Sequence, residues 1–102
     1  MENLFNGYLS TTSTDGLYTN NTDSAIKVNI YLCNSDTSGI ATTISIGNAS
    51  AASKAVSYPI YKATLAAGGM QLIENVVLND SQRIWGYATT GSKVVCKIDN
   101  LS

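Results

Sequence analysis

The hexapeptide Arg83-Ile84-Trp85-Gly86-Tyr87-Ala88 holds the side chains best suited to recognition chemistry in this 102-residue sequence. Side chains of an extended segment alternate between two faces. Ile84, Gly86 and Ala88 therefore share one face, and Trp85 and Tyr87 share the other, beside Arg83. Trp, Tyr and Arg are the types that dominate binding hot spots. With the aliphatic face inward, Arg83, Trp85 and Tyr87 form an adhesive surface. With the strand reversed, Trp85 and Tyr87 fill the core opposite Gly86, since large aromatics bury much area in a small domain. Tyr31 stands on the outward side of an earlier apolar run and is the fourth candidate for an interface. With Tyr8, Tyr18, Tyr58 and Tyr61 it is one of five further tyrosines, too many for so small a core to hold, so some reach the surface. Such a patch can meet a protein neighbour or stack on a sugar ring. Protein contact is the leading reading.

Catalytic and metal chemistry find little footing. The sequence has no histidine, which removes the commonest general base, the commonest metal ligand and the usual partner of a serine or cysteine nucleophile. Its seven carboxylates, Glu2, Asp15, Asp23, Asp36, Glu74, Asp80 and Asp99, fall mostly in expected turns or near the chain ends, where acidic side chains cap backbone donors. None has the alternating spacing of a calcium loop. Gly68-Gly69 lacks the lysine and helix of a phosphate cradle and reads as a turn. The expectation is a protein that is not an enzyme and carries no cofactor or metal. Cys33 and Cys96 fall on opposite parities: Cys33 sits with Tyr31, away from Ile26, Val28, Ile30 and Leu32, whereas Cys96 sits with Val94 and Ile98. Two free thiols are expected.

Composition points the same way. Hydrophobic residues make up 44% and charged residues 13%, with a formal net charge of −1. A nearly neutral chain without basic runs is a poor ligand for nucleic acid. No window reaches the length of apolar chain that crosses a bilayer, and Met1-Glu2-Asn3 does not open a secretory signal; the expectation is cytosolic synthesis. Twelve Ser, 11 Thr and 10 Asn furnish turns and loops. The Asn-x-Ser/Thr triplets beginning at Asn20, Asn48, Asn79 and Asn100 carry little weight in so Asn-rich a chain.

The apolar pattern has a period of two, which marks strands. Strands are expected over Asn6–Thr12, Leu17–Thr19, 26–32, Ile40–Ile46, Ser57–Leu65, Met70–Leu78, Arg83–Thr89 and Ser92–Leu101. Turns are expected at Asp15-Gly16, at Asn34–Gly39 and at Asn79–Gln82. Asn20–Ser24 reads as an exposed loop, and Gly47–Ser53 as a surface excursion or a single helical turn. Pro59 lies near a strand start, where its missing donor is tolerated. The 70–78 segment is two short strands or one bent around Glu74-Asn75. Strands 26–32 and 40–46 are expected to pair as a hairpin, and Thr90-Gly91 to be the tip of another. The fold class is all-β: a single domain over 1–102, an antiparallel β-sandwich or jelly roll of about eight short strands.

The second half also carries a family likeness. Tyr58-Pro59-Ile60-Tyr61-Lys62-Ala63-Thr64-Leu65 leads through the glycine pair to Met70-Gln71-Leu72. It continues through Val76-Val77-Leu78-Asn79-Asp80-Ser81-Gln82-Arg83-Ile84 to Tyr87-Ala88-Thr89-Thr90-Gly91. This succession resembles small virion structural proteins of tailed bacteriophages. With the Leu32-Cys33-Asn34 strand end and the Ile/Thr strand after it, the likeness runs from Tyr18 to the end. It departs at Asn79-Asp80-Ser81, where the family pattern has a glycine before the aspartate, and at Trp85-Gly86. The resemblance implies a β-sandwich that decorates or cements a capsid, or serves in the neck or tail. The implied partners are other virion proteins, major capsid or neck and tail subunits, met through edge strands and exposed aromatics. It also implies a homo-oligomer, such as a trimer, made in the host bacterial cytoplasm and located in the virion. A carbohydrate-binding or receptor-binding sandwich using Trp85 and Tyr87 is the alternative.

Overall fold

The computed structural model describes residues 2–11, 16–48 and 57–101. These residues form eight strands: β1 (Glu2–Tyr8), β2 (Gly16–Thr19), β3 (Ile26–Asn34), β4 (Ile40–Asn48), β5 (Ser57–Leu65), β6 (Met70–Leu78), β7 (Gln82–Ala88) and β8 (Val94–Asn100). Two four-stranded sheets run β1-β8-β3-β6 and β2-β7-β4-β5, with every pair antiparallel. The chain is an all-β, two-sheet sandwich. Strand 1 lies beside 8, 2 beside 7, 3 beside 6 and 4 beside 5. Among the described residues no helix is long and apolar enough to cross a membrane.

Alternation builds the core. In β3, Ile26, Val28, Ile30 and Leu32 are buried while the residues between them are half-buried or exposed. They pack with Cys96 and Ile98 of β8 and with Ile40, Ile44, Ile46, Ile84 and Ala88 of the facing sheet. Removing each such aliphatic side chain from water contributes about 1.5–3 kcal/mol. Gly86 also points inward: a Cβ there would lie 2.9 Å from Ile44 Cδ1 and from Leu17 Cδ1, and 3.2 Å from Leu9 Cδ2. Glycine at this position lets the sheets close over those three side chains.

Two buried asparagines fasten the ends of β3. At one end Asn34 Nδ2 donates to the carbonyls of Ser38 (2.9 Å), Leu65 (2.9 Å) and Ala66 (3.2 Å). Its Oδ1 accepts from the Asp36 amide at 2.9 Å, and its own amide donates to Gly69 O. At the other end Asn20 Nδ2 donates to Ser24 O and Leu78 O, both at 2.9 Å, while Oδ1 accepts from the Thr22 amide and hydroxyl. Each side chain closes an Asx turn and satisfies a strand-end carbonyl far away in sequence. Asn34 ties the β3–β4 crossing to the β5–β6 crossing. Asn20 ties the β2–β3 crossing to the β6–β7 turn, where Ser81 N donates back to Asn20 O.

Several expectations change here. Strands 26–32 and 40–46 do not pair as a hairpin: β3 and β4 belong to opposite sheets, and so do β7 and β8 on either side of Thr90-Gly91. Periodicity reveals which face of a strand is buried, not which strand lies beside it. Asn20 is fully buried rather than part of an exposed loop, because it supplies donors to the crossing. The first strand runs Glu2–Tyr8 instead of Asn6–Thr12, drawn toward the N-terminus by its pairing of Glu2 with Asn100. Thr12, Asp15 and residues 49–53 of the expected excursion lie outside the described residues. Met70–Leu78 is one strand bent at Asn75, which takes φ 55°; the Asn75 amide is held by Asn29 Oδ1 at 3.0 Å.

The four edge strands share one property. Each has a register shift against its neighbour, and β5 also carries Pro59 and Lys62. Bulges, proline and edge lysine are devices that discourage another strand from adding on.

Candidate functional site

The four residues singled out by the sequence do not form one patch. Tyr31 lies on β3 in one sheet, and Arg83, Trp85 and Tyr87 lie on β7 in the other. With Ile84 and Ala88 in the core, Trp85 and Tyr87 occupy the outer face of their sheet, the first of the two orientations considered. Trp85 is nevertheless only 1% exposed. It is paired across to Ser45 of β4 and Gly16 of β2, and the Arg83 guanidinium stands over its ring at 5.7 Å from the centroid. Arg83 is fixed in turn by a 2.8 Å hydrogen bond from Nε to Thr19 Oγ1. Its stem runs so close to Gly16 that a Cβ there would sit 2.6 Å from Arg83 Cδ. The free aromatic surface of Trp85 that the first orientation implied is thus corrected: the ring is a packed element of the outer face, and its buried Nε1 has no hydrogen-bond partner among the described residues. Tyr87 is half-buried and lines a shallow groove with Thr43, Lys62, Thr64 and Thr89.

The outer face of the β1-β8-β3-β6 sheet is different. Cross-strand register sets Tyr8, Val95, Cys33 and Met70 in one row, and Asn6, Lys97, Tyr31 and Leu72 in the next. Met70 is 79%, Tyr8 56% and Leu72 39% exposed. Between them runs a mostly apolar groove of about 490 Å³ with Tyr31, Cys33 and Val95 in its lining. Lys97, at its side, stands 5.5 Å from the Tyr31 ring centroid and forms a 3.3 Å salt bridge to Asp99. Sequence reading placed Tyr31 and Cys33 outward together but missed Met70, Leu72, Tyr8 and Val95. The signal was present in the parity of Met70 and Leu72. What hid it was the register, which the sequence does not reveal.

Asp99 corrects the view of the carboxylates as turn formers. It sits within β8 and is buried, whereas Asp36 and Asp80 do accept from loop amides. The hydrogen bond from Asn3 Nδ2, at 3.1 Å, and the Lys97 ammonium hold the Asp99 carboxyl below its usual range against the opposing effect of desolvation. A depressed folded-state pKa stabilises above the unfolded value, about 3.9, and is lost as pH falls through the folded one. Melting temperature in the wild type is therefore expected to fall below about pH 4, and Asp99→Asn to flatten that acid limb. Thermal melts from pH 2 to 7 check it; identical acid limbs would refute it.

Cys33 is half-buried and Cys96 fully buried, and both are free. Burial pushes the Cys96 thiol up to about 12, so it stays protonated and unreactive at neutral pH. Among the described residues no three His, Cys, Asp or Glu side chains gather as a metal site. Comparison with known proteins gave no matching family model, no matching curated protein and no matching solved structure.

Proposed function

We propose that the chain is a non-enzymatic structural protein that works by adhesion, as a capsid decoration or cement protein of a tailed-bacteriophage virion. The observation that carries the reading is the outer face of the β1-β8-β3-β6 sheet, where Tyr8, Met70 and Leu72 hold large apolar area in water. Exposed apolar surface of this kind marks contact sites. The reading moves the contact away from edge strands, which carry bulges and Pro59, and away from Trp85, which is packed. It rests it on this face and on Tyr31. The family likeness of the strand and turn succession supplies the virion setting, and two unbridged cysteines suit assembly in a reducing cytoplasm. One such face is a modest contact, but repetition over a symmetric shell converts modest contacts into a lasting coat.

Immunogold labelling of virions from the source strain with antibody to this chain tests the role. Regular label over the capsid is expected, with label sharply reduced when the virions carry Met70→Glu. No label on any particle would overturn the proposal.

A further inference from the structure

We infer that the outer face of the β2-β7-β4-β5 sheet carries a saccharide subsite, a groove that takes one pyranose unit of an uncharged polysaccharide. The inference does not depend on the adhesive reading of the opposite face, and Trp85, which is packed, has no part in it.

Register builds the groove. Lys62 of β5, Thr43 of β4 and Tyr87 of β7 stand in one row across the sheet, and Thr64 and Ala41 are paired in the next. There the Thr89 amide donates to Ala41 O. Ala41 is the smallest side chain of the group and sits on the middle strand of the three, so larger residues rise on either side of it. The depression they leave has a volume of about 290 Å³, at the lower end of the ~300–1,000 Å³ of sites for drug-sized ligands. It has room for a single ring.

Thr43 points to the chemistry of that ring. It is 8% exposed, and what remains open of it lines the groove. The hydroxyl of its neighbour Thr42 donates to Ile40 O at 3.2 Å, whereas that of Thr43 has no hydrogen-bond partner among the described residues. Polar side chains buried this far are normally bonded. An apolar ligand laid over Thr43 would seal the hydroxyl without a partner, at a cost in free energy. No carboxylate lines the groove to hold a cation. A single ammonium, Lys62, without guanidinium or clustered amides makes a weak anion site. A pyranose meets what the lining offers. Its hydroxyls both donate and accept, and its positively polarised C–H face suits the negative face of an aromatic wall such as Tyr87.

The outer faces of the two sheets look in opposite directions. A chain seated on a particle by its apolar face thus holds this groove toward the medium. One open groove of this size binds with a Kd on the order of 10⁻³ M, and repetition over a particle turns such contacts into firm attachment.

The test is a titration of the isotope-labelled chain, followed by amide NMR shifts. The probes are methyl α-glucopyranoside, methyl β-galactopyranoside and methyl N-acetyl-β-glucosaminide, each to about 50 mM. At least one should shift the amides of Thr43, Lys62, Thr64, Tyr87 and Thr89 together and saturably, leaving those of Met70 and Leu72 in place. The trisaccharide of that sugar should bind at least as tightly, since the groove lies open on a sheet face. Tyr87→Ala should weaken binding by about tenfold. Thr43→Val, which removes the hydroxyl and keeps the branched shape, should weaken it by about three- to tenfold. Because the lost hydroxyl had no partner, Thr43→Val should melt no lower than wild type, which separates lost binding from lost folding. Met70→Glu, on the other sheet, should bind as wild type does. Silence from every glycoside overturns the inference, as does exclusion of the trisaccharide or wild-type binding in both groove variants. So does a shift of the same amides by inorganic phosphate and not by the sugars. None of these outcomes bears on whether virions carry label, so the two proposals fail separately.

Discussion

Replacing Trp85 by alanine is expected to lower folding stability by about 3–5 kcal/mol, the range for deleting a fully buried aromatic. In a domain of this size each kcal/mol moves the melting temperature by about 4–8 °C, so a drop of more than about 12 °C is expected. The loss comes from the ring's contacts with the surface of β4 and β2 and from the Arg83 guanidinium stacked above it. Met70→Ala, at an apolar residue that is 79% exposed, should stay within about 0.5 kcal/mol. Chemical denaturation of the two variants checks the contrast. A Trp85→Ala protein as stable as Met70→Ala would mean that the ring is a free platform after all, as a sugar-stacking role would require.

Asn34→Ala is the second large effect, expected at about 2–4 kcal/mol: the buried Leu65 carbonyl loses a donor, which costs about 1–3 kcal/mol, and the Ser38 carbonyl and Asp36 amide lose their partner too, whereas the Ala66 carbonyl keeps the Gly69 amide. Asn34→Asp is the sharper test. It keeps the shape and the oxygen that accepts from Asp36 N, yet sets an acceptor where Nδ2 had donated. A carboxylate held among carbonyls has a raised folded-state pKa. Its penalty is present above the unfolded value of about 3.9 and relieved as pH falls below it. Asn34→Asp should therefore be markedly less stable than wild type at pH 7 and closer to it near pH 3. Urea midpoints at the two pH values measure this, and equal deficits at both would contradict the donor argument.

These two residues also show where reading a sequence succeeds and where it stops. Ile26, Val28, Ile30 and Leu32 announce a half-buried strand because one strand's two faces are encoded within its own residues. Pro59 announces a position that needs no ladder donor, and Asn75 an interruption of its strand, because backbone chemistry is local as well. The same logic leaves Trp85 two orientations, and its burial on the outer face depends on what packs over that face, about which alternation is silent. Asn20 and Asn34 look like ordinary turn residues. Their partners Leu78 and Leu65 stand far along the chain, so the role of each asparagine emerges only once the crossings are stacked. The apolar face fails to show for the same reason: Tyr8, Val95, Cys33 and Met70 become one row only through the pairing of β1, β8, β3 and β6.

The pairing of each strand with its mirror position has a consequence for how the chain finds this structure. The contacts are nested like parentheses: β4 with β5 encloses the shortest stretch, then β3 with β6, β2 with β7, and β1 with β8. Closing a loop costs entropy that grows with its length, yet each inner pair shortens the free chain that the next must bridge. The cheapest route therefore winds outward from the middle of the sequence, with the two ends joining last. Rate is then governed by the innermost pair and persistence by the outermost, so substitutions in β4 and β5 should act on folding speed and those in β1 and β8 on how fast the sandwich comes apart.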